Sequence, residues 1–162
     1  MAELRDVTEA DYNLFFDILK ENAEWVRRKG HPAWLEEHLI NVKEYYKNKK
    51  SCLKICYVED KPAGTVIFDE TDFDIWGPAG LDGKAVYVHK LCVREPFMKK
   101  GLSLELLDKA RKYAAENGKE YLRLDCQSFN LKVKGIYLAF GFQLVGSKDF
   151  GNYKASLLEM KI

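Results

Sequence analysis

Three stretches of the sequence place side chains or backbone groups where they could do chemistry. The first is a strand-to-helix turn, Arg94-Glu95-Pro96-Phe97-Met98-Lys99-Lys100-Gly101-Leu102-Ser103. A helix N-terminus offers unpaired N–H groups and the positive end of the helix dipole, so it seats anions. Gly101 permits close approach, and Lys99 and Lys100 add charge. The second is Tyr87 and His89, two apart and therefore on one face of a strand. An imidazole there can relay protons near neutral pH. The same pair also fits a half-buried histidine packed beside a tyrosine. The third is Asn130, followed by Tyr137 and the stop Gly141-Phe142. Tyr137 falls at helical spacing with Val133 and Phe140, so core packing with a tethered hydroxyl accounts for it equally on local grounds.

Periodicity and turn signals supply the elements that position these groups. Residues 3–7 read as a first strand. Thr8, with Asp11 three residues on, reads as an acidic variant of a capping box. A helix follows through Leu14, Phe15, Ile18, Leu19, Trp25 and Val26 and ends near Gly30. Trp34, Leu35, Leu39, Val42, Tyr45 and Tyr46 mark a second helix. Residues 53–59 and 64–69 form a hairpin about the turn at 59–62, and 70–84, with three glycines and a proline, reads as a loop. A strand over 85–94, a helix over 101–117 closed by Gly118, a strand over 121–126 and a helix over 131–140 follow. Strands at 142–146 and 156–161 complete the chain. The order β-α-α-β-β-β-α-β-α-β-β predicts an α/β fold: a mixed sheet with helices packed on its faces. No linker or repeat interrupts it, and residues 1–162 read as a single domain.

Composition narrows the function. The 26 basic and 25 acidic residues leave a net charge of +1, without the basic excess or stripe of a nucleic-acid binder. No apolar run approaches the ~18 residues that span a membrane. The first six residues lack the apolar region of a signal peptide. Cys52 and Cys56 fall on an alternating stretch, about 13 Å apart at ~3.3 Å per residue, too far for a disulfide. With no CxxC pair, zinc is not expected. Reduced, buried thiols in a cytoplasmic protein are the simplest account of all four cysteines.

Taken together, the stretches resemble the GNAT superfamily of N-acyltransferases. Val88-His89-Lys90-Leu91-Cys92-Val93, then the turn ending Lys100-Gly101-Leu102-Ser103, looks like the family's central strand and pyrophosphate loop. Asn130 through Ile136-Tyr137-Leu138-Ala139-Phe140-Gly141-Phe142 looks like its late N…Y…GF element. The match covers about residues 85–146. It implies a mostly antiparallel central sheet with a parallel pair that splays after residue 90, where acetyl-CoA enters, and no metal. Backbone groups of Leu91 and Val93, flanking Cys92, would pair with the pantetheine arm. N–H groups from Met98, Lys99, Lys100, Gly101, Leu102 and Ser103 would hold the pyrophosphate, and Asn130 would reach the pantetheine. Tyr137 would be the general acid for the thiolate, with His89 and Tyr87 on the proton-exit route. The family loop is usually Q/R-x-x-G-x-G/A, whereas Met98 and Ser103 occupy its ends here.

The expected reaction is direct transfer of acetyl from acetyl-CoA to a primary amine of a small molecule in a ternary complex. An ammonium of pKa ~10.4 must lose a proton before it attacks. The tract Asp69-Glu70-Thr71-Asp72-Phe73-Asp74, followed by Trp76, could draw a cationic amine by charge and cation–π contact, or simply be a solvated acidic loop. Two alternatives stay open: a non-catalytic CoA-binding module, and a protein or peptide N-acetyltransferase. A homodimer is compatible with the resemblance. Thiol titration of freshly purified, denatured, non-reduced protein is expected to find four free thiols; two or fewer would contradict the reduced reading.

Overall fold

A computed structural model describes residues 2–162. The strands are β1 (Ala2–Asp6), β2 (Leu53–Val58), β3 (Lys61–Asp69), β4 (Ala85–Val93), β5 (Tyr121–Gln127), β6 (Gln143–Asp149) and β7 (Lys154–Lys161). The helices are α1 (Tyr12–Arg28), α2 (Glu36–Tyr45), α3 (Phe73–Trp76), α4 (Leu102–Glu116) and α5 (Leu131–Phe140). The sheet order is β1-β2-β3-β4-β5-β7-β6, antiparallel in β1–β2, β2–β3, β5–β7 and β6–β7, and parallel in β4–β5. The chain divides into two compact units, one of residues 1–67 and 90–106, the other of 68–89 and 107–162.

In the first unit, strand alternation sends successive side chains to opposite faces. Leu53, Ile55, Ile67 and Cys92 pack against Phe15, Phe16, Ile18 and Leu19 of α1 and Leu39 of α2. Cys56 and Ala63, flanked by Leu91 and Val93, pack with Leu102 and Leu106 at the start of α4. Helices therefore cover both faces of these strands, as the sequence pattern predicts. Ahead of α1 the Asp11 carboxylate accepts the Thr8 N–H at 2.5 Å and the Thr8 hydroxyl at 3.1 Å, which bears out the acidic cap. Arg94 is tied to α1 and β3: its guanidinium donates to Glu21 at 2.8 and 3.2 Å and to the Pro62 carbonyl at 2.9 Å.

In the second unit, β4 and β5 run in register from Ala85–Tyr121 to Tyr87–Arg123. β7 lies between β5 and β6 and pairs with both. The strand expected over 142–146 is longer, because β6 runs on to Asp149 past a register shift between Leu144 and Gly146. A bulge of this kind accommodates a glycine that otherwise reads as a strand end.

The segment 70–84 corrects the sequence reading of a loop. It holds α3 and a 3-10 turn over Gly77–Leu81. Asp72 caps α3 by accepting the Ile75 N–H at 3.1 Å, and the Asp72 N–H donates to the Gly80 carbonyl at 2.9 Å. Gly80 lies so close to the Asp72 carbonyl that a side chain at 80 would collide with it. Of the three glycines in this segment, Gly80 is the one that close packing requires.

The same constraint acts in the first unit at Gly64, where a Cβ would collide with the Cys92 carbonyl oxygen. Gly64→Ala is expected to cost about 1–3 kcal/mol, the range for forcing an extra group into a packed site. It would be read as a lower midpoint in denaturant unfolding, and an unchanged midpoint would show that the backbone at Cys92 yields freely.

Candidate functional site

The strand-to-helix turn lies in the first unit. Lys90, inside β4, has φ of 50°, a left-handed value rare for a residue with a side chain. The Thr65 hydroxyl holds this kink, donating to the Lys90 carbonyl at 2.9 Å and lying 3.1 Å from the Cys92 sulfur. Cys92 is buried, which pushes its thiol up to about 11, so it is no nucleophile at neutral pH. A 3-10 turn over Glu95–Phe97 leads on, and the Trp25 indole N–H donates to Glu95 at 2.9 Å.

The backbone conformation that follows is of a kind that fits anions. Lys99 and Gly101 are both left-handed, at φ 61° and 77°, and α4 starts at Leu102. Turns with left-handed residues, and the first turn of a helix, expose N–H groups that accept anions. Among the described residues, no backbone acceptor takes the N–H groups of Lys99, Lys100 or Gly101. The Met98 N–H differs: it donates to the Glu95 carbonyl at 3.2 Å. The sequence expectation for this loop, Met98 to Ser103, is thereby shortened by one donor.

In the second unit, Asn130 caps α5, its side-chain oxygen accepting the Val133 N–H at 3.2 Å. That leaves its amide N–H groups as donors. Tyr137, one helix turn before Gly141, packs edge-on to Phe142 with ring centroids 5.8 Å apart. Burial, with the Cys126 and Asp125 charges adding to it, pushes Tyr137 up to about 12. Its hydroxyl takes no hydrogen bond among the described residues. His89 lies near the end of β4 beside two carboxylates, Asp72 Oδ2 at 3.2 Å from Nε2 and Asp125 Oδ1 at 3.9 Å from Nδ1.

The sequence pattern of the Acetyltransferase (GNAT) family matches residues 16–142, well over half of the chain. The chain belongs to the GNAT acetyltransferases. Among curated proteins it is similar to the uncharacterized N-acetyltransferase YesJ of Bacillus subtilis (strain 168), 25% identical over 83% of this chain and 77% of that one. Among solved structures it is similar to a GNAT-family acetyltransferase from Listeria monocytogenes 4b F2365, with a TM-score of 0.83, 24% identity and coverage of 99% and 95%. The PaiA N-acetyltransferase of Thermoplasma acidophilum, solved in complex with coenzyme A, superposes with a TM-score of 0.70 at 14% identity, covering 100% and 99%. GNAT enzymes use acetyl-CoA as acyl donor, and no helix of this one is long and apolar enough to cross a membrane.

Two residues expected at the acceptor end of this GNAT enzyme do other work. Tyr87 is only 1% exposed. Its hydroxyl donates to the Ala79 carbonyl at 3.1 Å and accepts from Arg123 at 2.7 Å. Trp76 packs edge-on to Tyr87, and the Arg123 guanidinium lies 5.2 Å from its ring centroid. The cation over Trp76 is thus the protein's own. Asp74 is exposed, and its carbonyl accepts from Lys148 at 2.7 Å. Sequence reasoning missed Asp125 and Tyr153, whose hydroxyl donates to Asp125 at 3.0 Å. The alternation Arg123, Asp125, Gln127, three polar residues on one face of a strand, was the available signal.

Gly101 has nothing within 4 Å of where a Cβ would sit, so a substitution there is limited by φ and not by crowding. A β-branched residue at a left-handed position costs about 1–2 kcal/mol. Gly101→Val is therefore expected to weaken CoA binding roughly tenfold, measured by calorimetry. Wild-type protein that binds no CoA at millimolar concentration would refute the seat altogether.

Proposed function

We propose that this enzyme transfers acetyl from acetyl-CoA directly to a primary amine of a small molecule, in a ternary complex, with residues 1–162 acting as one domain. The observation that carries the proposal is the loop at 99–101, whose left-handed residues present unspent N–H groups next to the N-terminus of a 15-residue helix. In this reading the loop and the first turn of α4 take the pyrophosphate. Leu91 and Val93 offer backbone groups to the pantetheine arm, and the Asn130 amide adds a donor to it. Of the altered loop ends, Met98 costs the seat one donor and Ser103 does not. The Met98 N–H is engaged with Glu95, and Ser103 lies within α4, where its N–H is among the helix's first donors. The family pattern runs through both compact units, which supports the single-domain reading. Four free thiols fit a reducing compartment, taken here as the cytoplasm.

The chemistry follows from charge. His89 takes the proton of the acceptor's ammonium, freeing the nitrogen lone pair to attack the thioester carbonyl. The tetrahedral oxyanion needs an N–H donor, which we assign to the backbone near Leu91. Collapse of this intermediate breaks the C–S bond, Tyr137 donates its proton to the departing sulfur, and the nitrogen, positively charged since its attack, loses a second proton that restores the Tyr137 phenol by way of solvent. A phenol held up to about 12 by burial stays protonated across the working range.

Tyr137→Phe keeps the ring and its packing on Phe142 while removing the donor. The expected result is a fall in turnover of ~10²–10⁴-fold, the usual span for a general acid or base, with CoA affinity unchanged in calorimetry. A panel of polyamines, aminoglycosides, amino acids and peptides, followed by CoA release, identifies the acceptor. Full turnover by Tyr137→Phe, where chemistry limits the rate, would remove Tyr137 from the mechanism.

A further inference from the structure

Two carboxylates lie beside the ring of His89, each nearest a different nitrogen, and one oxygen of each lies within 4.8 Å of the other and of one ring nitrogen. Nε2 lies 3.2 Å from Asp72 Oδ2, and Nδ1 lies 3.9 Å from Asp125 Oδ1. The Asp72 and Asp125 side chains are 7% and 13% exposed, and that of His89 21%. The Asp72 carboxylate is divided in its duties. Oδ1 accepts the Ile75 N–H as the cap of α3, while Oδ2 is buried and, among the described residues, accepts no hydrogen bond. A buried carboxylate oxygen without a donor is costly, and the Nε2–H of His89 can supply one. On the other side, Asp125 Oδ2 takes the Tyr153 hydroxyl at 3.0 Å, and Oδ1 is the oxygen that faces the ring.

We infer that Asp72 is a positioning residue for His89 and that Asp72 and Asp125 together clamp the ring as a receptor for one proton. Neutral His89 gives its Nε2 hydrogen to Asp72, which leaves the lone pair on Nδ1. When a substrate ammonium arrives, its N–H bond breaks and an Nδ1–H bond forms. The electron pair stays on the substrate nitrogen as its nucleophile, and the ring, now an imidazolium, carries the positive charge beside two negative ones. This deepens the reading of His89 as the base and rests on it.

The Asp125 charge also reaches Tyr137 and Cys126, which burial raises first. Tyr153 is committed to Asp125, and burial and the Asp125 charge keep its hydroxyl protonated. Arg123, two residues before Asp125 on β5, bonds to Glu159 at 2.7 Å and Asp82 at 3.2 Å. Tyr87, on the same strand as His89, is held by Arg123 and the Ala79 carbonyl. Asp72, His89 and Asp125 could also be a donor set for a divalent cation. One imidazole nitrogen and one oxygen of each carboxylate lie within 4.8 Å of one another, so metal binding is measured directly in the test below.

The test is NMR of the full-length protein with labelled histidine, read together with acetyl-transfer rates across pH. Three histidines are present. His89→Gln assigns the signal, and His38 stays neutral because burial and then Lys90 push it down to about 4. Asp72→Asn removes the charge but keeps an oxygen to cap α3, since asparagine is as good a cap as aspartate. At pH 6.5 the ratio of protonated to neutral His89 is expected to fall at least threefold, with the acid limb of the rate profile moving to lower pH and the KM for acetyl-CoA unchanged. Asp125→Asn serves as the second variant, with the same expected fall. A ratio unchanged in both folded variants overturns the clamp. A fallen ratio with an unchanged rate profile upholds the clamp and removes His89 as the base. Stoichiometric calorimetric binding of Zn²⁺ or Mn²⁺ that Asp72→Asn abolishes overturns the clamp in favour of a metal site.

Discussion

A guanidinium that is nearly all buried has to be neutralised and hydrogen-bonded in place, and Arg123 imposes that demand on the second compact unit. Its side chain is 7% exposed. Burial works against its charge, and bonds to Glu159 and Tyr87, with Asp82 beside them, more than offset that. It also donates to the Ala79 carbonyl at 3.2 Å. These contacts come from β7, from β4 and from the segment between β3 and β4, so one cation fixes three pieces of chain. Removing a partner from such a network leaves an uncompensated charge. The segment bearing Asp72 is therefore fixed by long-range bonds as well as by its own short α3 and 3-10 turn.

From that anchor the order of causes runs outward. Arg123 and Gly80 fix the segment, the segment carries Asp72, and Asp72 sits against His89. The first unit has a corresponding chain of causes. Gly64 lets the backbone of Cys92 approach, Thr65 holds the kink at Lys90, and Arg94 ties the following turn to α1. The chain then enters the left-handed residues of the loop. In both units a glycine that looks like freedom in the sequence is spent on close packing, and a polar side chain behind it fixes what the glycine allowed.

How much of this could be read from the sequence depends on the range of the interaction. The strands and helices around the loop were legible because amphipathic alternation and capping are local. Thr8 with Asp11, Gly118 after α4 and Gly141 after α5 each act within a turn of the chain. Loop, Asn130 and Tyr137 stood out because their spacing matches a family pattern. The corrections come from long-range pairs. The segment 70–84 has loop composition, and what orders it is Arg123, some 40 residues further on. Tyr87 and Trp76 look like an acceptor surface until that same arginine is placed over them. Asp125 drew no notice because a carboxylate on a strand becomes significant only when its neighbour in space, His89, is known.

The place of β7 bears on how the chain comes to be folded. It is the last of the seven strands to leave the ribosome, yet it lies between β5 and β6 and pairs along both. Until it arrives, β5 has an open edge, and Arg123 lacks the carboxylate of Glu159. Non-local pairings of this kind are slow to form and leave strand edges open meanwhile. The second unit is thus completed only after synthesis of its whole length, and the nascent chain carries a half-neutralised cation in what will become its interior.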